Sequence, residues 1–541
     1  MVGSWGSVRV EIDWWQCRPT ESLSPSSVAL VLVLYVRRAA SATTLHASFD
    51  TETPRDPQPA GPISVMGHQE ALALAPGATG QPDEGPMPFG SGWKKEFLFD
   101  PEWRNLNHGS FGTYPKHVRD RLRAYQDQAE ARPDPFILYE QPKLIDAARA
   151  ELAGLLNAPL ETVVFVGNAT DGVNTVLRNL AWSEDGKDVI LSFSTVYEAC
   201  GKAADYLAEY FEGKLEHRDI AIAYPLEDGE IVDAFRRAVG GIRDEGKRAR
   251  VCILDVVSSR PGVVFPWADV ARACKELGVT SLVDGAQGVG MVHLDVAAAD
   301  PDFFVSNCHK WLLVPRGCAV LYAPVRNQHL LRTTLATSHG FVPKLARRTT
   351  PLPPPPPAKS AYVTNFEFVG TRDNGPYMCV KDAIEWRRRV CGGEDRIISY
   401  LWDLNKKGVR RVAEALGTTY LDNSKGTMTN CAMGNVALPV WVGERGEGAR
   451  ETDVVVPREH RDTVFQWITE TLVRDYRTFM SRFIMGGRYW IRISAQIYLD
   501  LADYEFAAKA LGELCERIGK REYLEDRQTA MPGDGFSSMS Q

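Results

Sequence analysis

Phe303-Phe304-Val305-Ser306-Asn307-Cys308-His309-Lys310-Trp311-Leu312 is the stretch on which the reading of this 541-residue chain turns. An apolar run rich in Phe and Val, closed by small polar residues, predicts a buried strand that leaves its sheet at Ser306 and presents Lys310 just past its carboxyl end. Strand ends of this kind are where α/β proteins bind ligands. A half-buried lysine there can lose its proton and act as a nucleophilic amine. Taken alone, a surface lysine after a strand is the plainer description, so the rest of the chain has to decide.

Working outward, strands and helices alternate on both sides of this stretch. The pattern predicts strands at Thr162 to Val166, Asp188 to Phe193, Arg250 to Val256, Thr280 to Val283, Asp302 to Val305 and Cys318 to Tyr322. Helices are expected between them, at Asp171 to Leu180, Ala199 to Phe211 and Trp267 to Leu277. Such alternation argues for an α/β fold with a mostly parallel sheet covered by helices on both faces. Upstream, the Gly-punctuated loop Leu106 to Thr113 leads into helices at Lys116 to Ala131 and Pro142 to Leu156. Downstream, Pro353 to Pro357 read as an extended polyproline loop. Helices follow at Tyr377 to Arg389 and Ile397 to Leu416, then strands at Val436 to Trp441 and Arg488 to Ile493 with helices at Arg461 to Arg474 and Ala502 to Ile518. A second, smaller α+β lobe is the economical description.

The expected organisation is an irregular extension over 1–92, a segment 93–140 contributing to the site, a large domain 141–390, a small domain 391–523 and a frayed tail 524–541. Within the extension, Val28 to Val36 is too short to span a bilayer as a helix. It has the apolar character of a signal-peptide core before Ala40-Ser41-Ala42, but the preceding region is long and carries Glu11, Asp13 and Glu21, which argues against secretion. Met66 offers an alternative start. A formal net charge of −7 leaves no broad basic surface, so neither nucleic acid nor an anionic membrane is implied as a partner. The ten cysteines lack CxxC pairs and zinc-like spacing with histidine, and read as reduced thiols of a cytoplasmic protein.

Several motifs supply groups that a reactive lysine would use. In Leu282-Val283-Asp284-Gly285-Ala286-Gln287, a carboxylate ends a buried strand; it needs a partner, and a protonated pyridine nitrogen is suitable. Phe165-Val166-Gly167-Asn168-Ala169-Thr170-Asp171-Gly172 turns from strand into helix and aims backbone N–H groups at one spot, where a phosphate fits. Tyr197, at another strand end, has a ring that can stack and a phenol that can pass a proton. Arg492, inside the apolar strand Tyr489 to Ser494, must find an anion, either a substrate carboxylate or a structural ion pair. Each has a plain reading in isolation: a turn or cap for Asp284, an N-cap for Thr170, core edge for Tyr197.

Taken together, Asn-His-Gly-Ser-Phe-Gly (107 to 112), Asn-Ala-Thr (168 to 170), Asp-Gly-Ala-Gln (284 to 287), His-Lys-Trp (309 to 311), Gly-Thr-Arg-Asp (370 to 373) and Arg-Ile-Ser (492 to 494) resemble class V aminotransferase-fold enzymes. The resemblance covers roughly Trp93 to Gly519. It is strongest to the isopenicillin N epimerase-like branch, which includes the fungal hercynylcysteine sulfoxide lyases of ergothioneine synthesis. It implies pyridoxal phosphate (PLP) as cofactor and the fold-type I architecture: a large domain with a mostly parallel seven-stranded sheet, a smaller α+β C-terminal domain, and a homodimer with active sites at the subunit interface. It also implies roles. Lys310 forms the Schiff base, Asp284 pairs with the pyridinium and Gln287 reaches the ring hydroxyl. Ala169, Thr170, Asn307 and His309 hold the phosphate together with the partner subunit's Thr371. Tyr197 stacks on the ring, Arg492 holds the substrate carboxylate, and Asn107 and His108 lie on the substrate side.

Members of such a family remove the α-proton and then diverge. A β-eliminating lyase needs a leaving group on Cβ and an acid, for which Tyr197 is placed; related desulfurases stack a histidine instead, so Tyr197 favours the lyase branch. Hercynylcysteine sulfoxide or a near relative is the expected substrate, with pyruvate and ammonia as products. Epimerisation would need a second acid, for which His108 is the candidate. A desulfurase needs a nucleophilic thiol on a mobile loop; Cys431 lies in a plausible region without the Ser/Gly-rich or His-rich setting of such loops. A catalytically silent binding protein would not require both Lys310 and Asp284.

Overall fold

The computed structural model describes residues 87–337, 339–345 and 359–529. The readings made for the chain before Met87, including Val28 to Val36 and Met66, and for the Pro353 to Pro357 run lie outside the described residues. Seven strands form the larger sheet: β1 (Val163–Val166), β2 (Asp188–Phe193), β3 (Leu215–Ile220), β4 (Arg248–Asp255), β5 (Thr280–Asp284), β6 (Phe303–Asn307) and β7 (Ala319–Tyr322). Their spatial order is β1-β7-β6-β5-β4-β2-β3. The β2–β3, β2–β4, β4–β5 and β5–β6 pairs are parallel. Because β7 is antiparallel to both β6 and β1, β1 runs with the other five. The carboxyl ends of all strands but β7 therefore meet at one edge.

Both faces of this sheet are buried, which is why its inner strands read as unbroken apolar runs. Alternate residues feed opposite layers. Val163, Phe165, Val283 and Phe304 join one core cluster, and Val164, Val166, Leu282, Phe303 and Val305 the other. The first layer draws on the helices Gln141–Leu155, Asp228–Asp244, Trp267–Leu277 and Gly375–Arg389; the second on Ala169–Asn179, Glu198–Tyr210 and Ala361–Glu367. Burial of each Val, Leu or Phe contributes roughly 1.5–3 kcal/mol before conformational entropy is counted.

A second sheet of four strands has the order β10-β11-β8-β9, built from β8 (Met433–Val442), β9 (Val454–Val456), β10 (Ser481–Met485) and β11 (Arg488–Ser494). Gly486 and Gly487, both at positive φ (59° and 71°), make the two-residue turn between β10 and β11. The helices Glu394–Leu416, Arg461–Tyr476 and Leu501–Gly519 complete this part.

Some local readings differ. The Leu106 to Thr113 loop contains a short helix, His108–Phe111, and the chain is helical over Glu522–Thr529, where fraying was expected. The edge strand β3, spelled Leu-Glu-His-Arg-Asp-Ile, buries only its two end residues, so it carries no periodic signal. The helix Asp228–Asp244 is secured at its start by a capping box between Glu227 and Glu230.

Candidate active site

Lys310 follows β6 by three residues and is almost fully buried, at 8% exposure. Ser306 locks the strand end: its hydroxyl donates to the Gly285 carbonyl and accepts from the Val289 N–H at 3.0 Å. Burial draws Lys310 down to about 8, against the attraction of Asp284. Its ammonium lies 5.9 Å from the centroid of the Tyr197 ring. Tyr197 sits where β2 turns into the helix Glu198–Tyr210.

Beneath them two carboxyl groups stand side by side, since Asp255 on β4 and Asp284 on β5 are register partners. Asp284 is buried; its Oδ1 accepts from the Ala286 N–H at 2.8 Å and its Oδ2 from the Cys200 thiol at 3.2 Å. Gln287 is held at both ends of its amide: Nε2 donates to Gly109 O and Oε1 accepts from Trp311 Nε1, each at 2.7 Å. The second Nε2 hydrogen remains for a ligand.

At the other end of the cleft the helix Ala169–Asn179 opens with Asn168 as its N-cap, whose side chain accepts from Asp171 N–H at 2.9 Å. Asn307 Oδ1 accepts from the Ala169 N–H at 2.9 Å, which engages that amide and shapes the turn, while Asn307 Nδ2 keeps its donors at the cleft. Thr170 and His309 also line the cleft. His309 Nδ1 donates to the Cys318 carbonyl at 3.1 Å, which leaves Nε2 for a ligand, and burial holds the ring neutral with a pKa of about 4. Asp171 lines the same end, its carboxyl raised by burial.

Three of the expected residues stand one layer back. Arg492 on β11 is buried; Nη1 donates to Ser259 O at 2.6 Å, and Nη2 to Asn107 Oδ1 at 2.9 Å and Ser110 Oγ at 3.1 Å. Its Nε has no partner among the described residues. Burial and then Arg260 pull it down to about 10, as expected of a guanidinium with no anion beside it. His108 is fully enclosed. Because a carbonyl only accepts, Nε2 donates to Lys310 O at 2.8 Å, and Nδ1 accepts from the Tyr498 hydroxyl at 3.0 Å. Burial lowers His108 to about 4, so it is neutral and makes no contact with the cleft of Lys310. Asn107 supports Arg492 from behind. Thr371 is exposed, away from the cleft of its own chain.

The cleft of about 410 Å³ thus gathers Ala169, Thr170, Tyr197, Asp284, Gln287, Asn307, His309 and Lys310. It also contains Ser110, Phe111, Asp255 and Ser259, which the motifs did not single out. Asp255 was signalled as Asp284 was, by a carboxylate closing an apolar strand; Ser110 and Phe111 lie in the glycine-punctuated loop. The donor set suits a flat ring with a cationic nitrogen over Asp284, an anionic group at the helix start, and a carbonyl within reach of the lysine.

The family model described as Aminotransferase class-V matches residues 114–345. The chain is 36% identical over 448 residues to the L-cysteine desulfhydrase-like protein lolT1 of Epichloe uncinata, covering 81% of this chain and 98% of that one. It is 29% identical to the hercynylcysteine sulfoxide lyase of Schizosaccharomyces pombe, covering 79% and 98% respectively. Among solved structures, the cystine C–S lyase C-DES in complex with its product cysteine persulfide matches with a TM-score of 0.61 at 20% identity, over 76% of this chain and 98% of that one. That likeness bears on the fold.

Proposed function

Because this chain belongs to the aminotransferase class-V family and is a PLP-dependent enzyme of its carbon–sulfur lyase kind, we propose that it cleaves the Cβ–S bond of a cysteine S-conjugate sulfoxide. Hercynylcysteine sulfoxide or a near relative is the proposed substrate. The products are the sulfenate (as its acid), pyruvate and ammonia, with one water consumed. The name of the Schizosaccharomyces pombe relative supports this choice.

The residues present fit PLP on this structure's own terms. Lys310 is buried, and its pKa is drawn toward neutrality; Arg492 is a buried cation lacking an anion; and the start of the helix Ala169–Asn179 faces the cleft beside Thr170 and His309. When bound, PLP supplies a carbonyl for the substrate amine and a protonated ring that takes up the electron pair left at Cα. In the proposed mechanism Asp284 holds the ring nitrogen, Gln287 the ring hydroxyl, and Thr170 and His309 the phosphate. Arg492, aimed by Asn107, Ser110 and Ser259, fixes the substrate carboxylate. Lys310 Nζ takes the α-proton, and Tyr197 protonates the departing sulfenate. His108 fixes the backbone on which Lys310 turns.

The observation that carries the choice of elimination is the state of the cysteines. All nine among the described residues are buried. Cys431, the candidate sulfur acceptor, donates to Met433 O at 3.1 Å and is pushed up to about 12 by burial. Among the described residues no exposed thiol is available to take sulfur as a persulfide, and elimination needs none. The enclosed, neutral His108 likewise supports elimination over epimerisation, which would need it as an acid.

We also propose a homodimer whose sites are completed by the partner subunit's Thr371, and a cytoplasmic location. No helix among the described residues is long and apolar enough to cross a membrane. The decisive experiment supplies PLP-loaded enzyme with a panel of cysteine S-conjugates and their S-oxides and measures pyruvate and ammonia. The reading fails if no S-oxide releases pyruvate; solvent deuterium at Cα without elimination would point to an epimerase instead. Cys431→Ser is expected to keep full pyruvate release, measured in the same assay.

A further inference from the structure

Asp255 has no role in the chemistry above, yet it is 7% exposed, lines the cleft and is the register partner of Asp284 on the adjacent parallel strand. Burying two ionised carboxylates side by side is expensive unless a proton or a cation intervenes. Asp284 has its own donors in the Ala286 N–H and the Cys200 thiol. Asp255 has neither an amide donor nor a guanidinium acting on it; the charged groups that act on it are Asp284 and Lys310. The phenol of Tyr224 and the Cys200 thiol are the other titratable groups that face it.

We propose that Asp255 is a positioning residue for Asp284: its un-ionised carboxyl donates a hydrogen bond toward Asp284, the Cys200 thiol donates a second, and the pair carries a single negative charge beneath the cofactor ring. The enclosure of Asp255 and the neighbouring charge of Asp284 both raise its carboxyl well above the usual range, in keeping with a retained proton. The same surroundings raise the Cys200 thiol, which therefore stays a donor. The consequence is division of labour within a like-charged pair: one carboxyl stays anionic to face the ring nitrogen because the other does not ionise. The inference rests on the PLP assignment and not on the identity of the substrate.

The test compares Asp255→Asn, which keeps a neutral donor of the same shape, with Asp255→Ala, which removes it. Readouts are PLP affinity of the cofactor-stripped protein and the pH midpoint of the bound cofactor's visible absorbance. Asp255→Asn should hold affinity within about threefold and leave the midpoint in place, whereas Asp255→Ala should weaken affinity about tenfold or more and move the midpoint. Cys200→Ser should behave as the conservative variant and Cys200→Ala as a milder form of the loss. The proposal is overturned if Asp255→Asn is weakened tenfold, since an ionised carboxylate would then be the working form, or if Asp255→Ala matches the parent in both readouts. Should Asp255→Ala fail to fold, Asp255→Asn alone decides. Pyruvate release is not used, so a wrong substrate leaves this test intact.

Discussion

Lys310 and His108 meet through the Lys310 carbonyl, and burial lowers both pKa values, to different points on the pH scale. Burial brings the lysine down to about 8, so the amine that captures a carbonyl becomes scarce below that pH. In the cofactor-stripped protein the rate of PLP capture, followed as visible absorbance, should rise about tenfold per pH unit up to about 8 and level off above it. Lys310→Ala should show no such capture. His108 is lowered from 6.5 to about 4. Between those values the unfolded chain takes up a proton and the folded one does not, so stability falls as the pH drops through that window, by up to about 3 kcal/mol. Urea denaturation should show this acid limb in the parent and a flatter one in His108→Gln. At this scale the positions of Lys310, Asp284 and Tyr197 at or just past strand ends were legible once the motifs were taken together, and all three line the cleft. The family resemblance set His108 on the substrate side, whereas the structure encloses it behind Lys310, because whether a side chain faces a cleft or braces one that does depends on contacts with residues hundreds of positions away.

Among the elements, the loop around Gly112 carries the tightest constraint on the site. Gly112 has φ +62°, and a Cβ there would lie 1.9 Å from His309 O, against the backbone that carries Lys310. Gly112→Ala should lower the unfolding free energy by about 2 kcal/mol or more and loosen PLP binding. Gly213→Ala, with φ +78° and open space around it, isolates the backbone contribution and should be milder in denaturation and silent in PLP affinity. Strands buried on both faces were legible as apolar runs, β6 foremost. The edge strand β3 was not, since Glu216 to Arg218 are half-buried, Asp219 is exposed and the four obey no alternation. Nor was β9, whose three residues are too few to show a period.

For the molecule as a whole, the exposure of Thr371 on its own subunit makes the proposed dimer testable by mixing. Lys310→Ala and Thr371→Ala homodimers should each be impaired; unfolded together and refolded, hybrids should regain one intact site in two, read as pyruvate release above that of either parent. Absence of any gain would place Thr371 outside the partner's site. The two-sheet plan was readable from the alternation of strands and helices, whereas the knitting of remote segments was not. His108 and Lys310 are 202 positions apart, Gly109 and Ser494 385, and Asn107 and Arg492 385. A ribosome releases these segments in order, long before they can all meet. A nascent chain that has exposed Lys310 already holds Thr170, Asp284, Gln287 and His309, proposed for the cofactor, but still lacks Arg492, proposed for the substrate carboxylate. A chain cut short before Arg492 thus lacks the proposed anchor for the substrate, whatever it carries around Lys310.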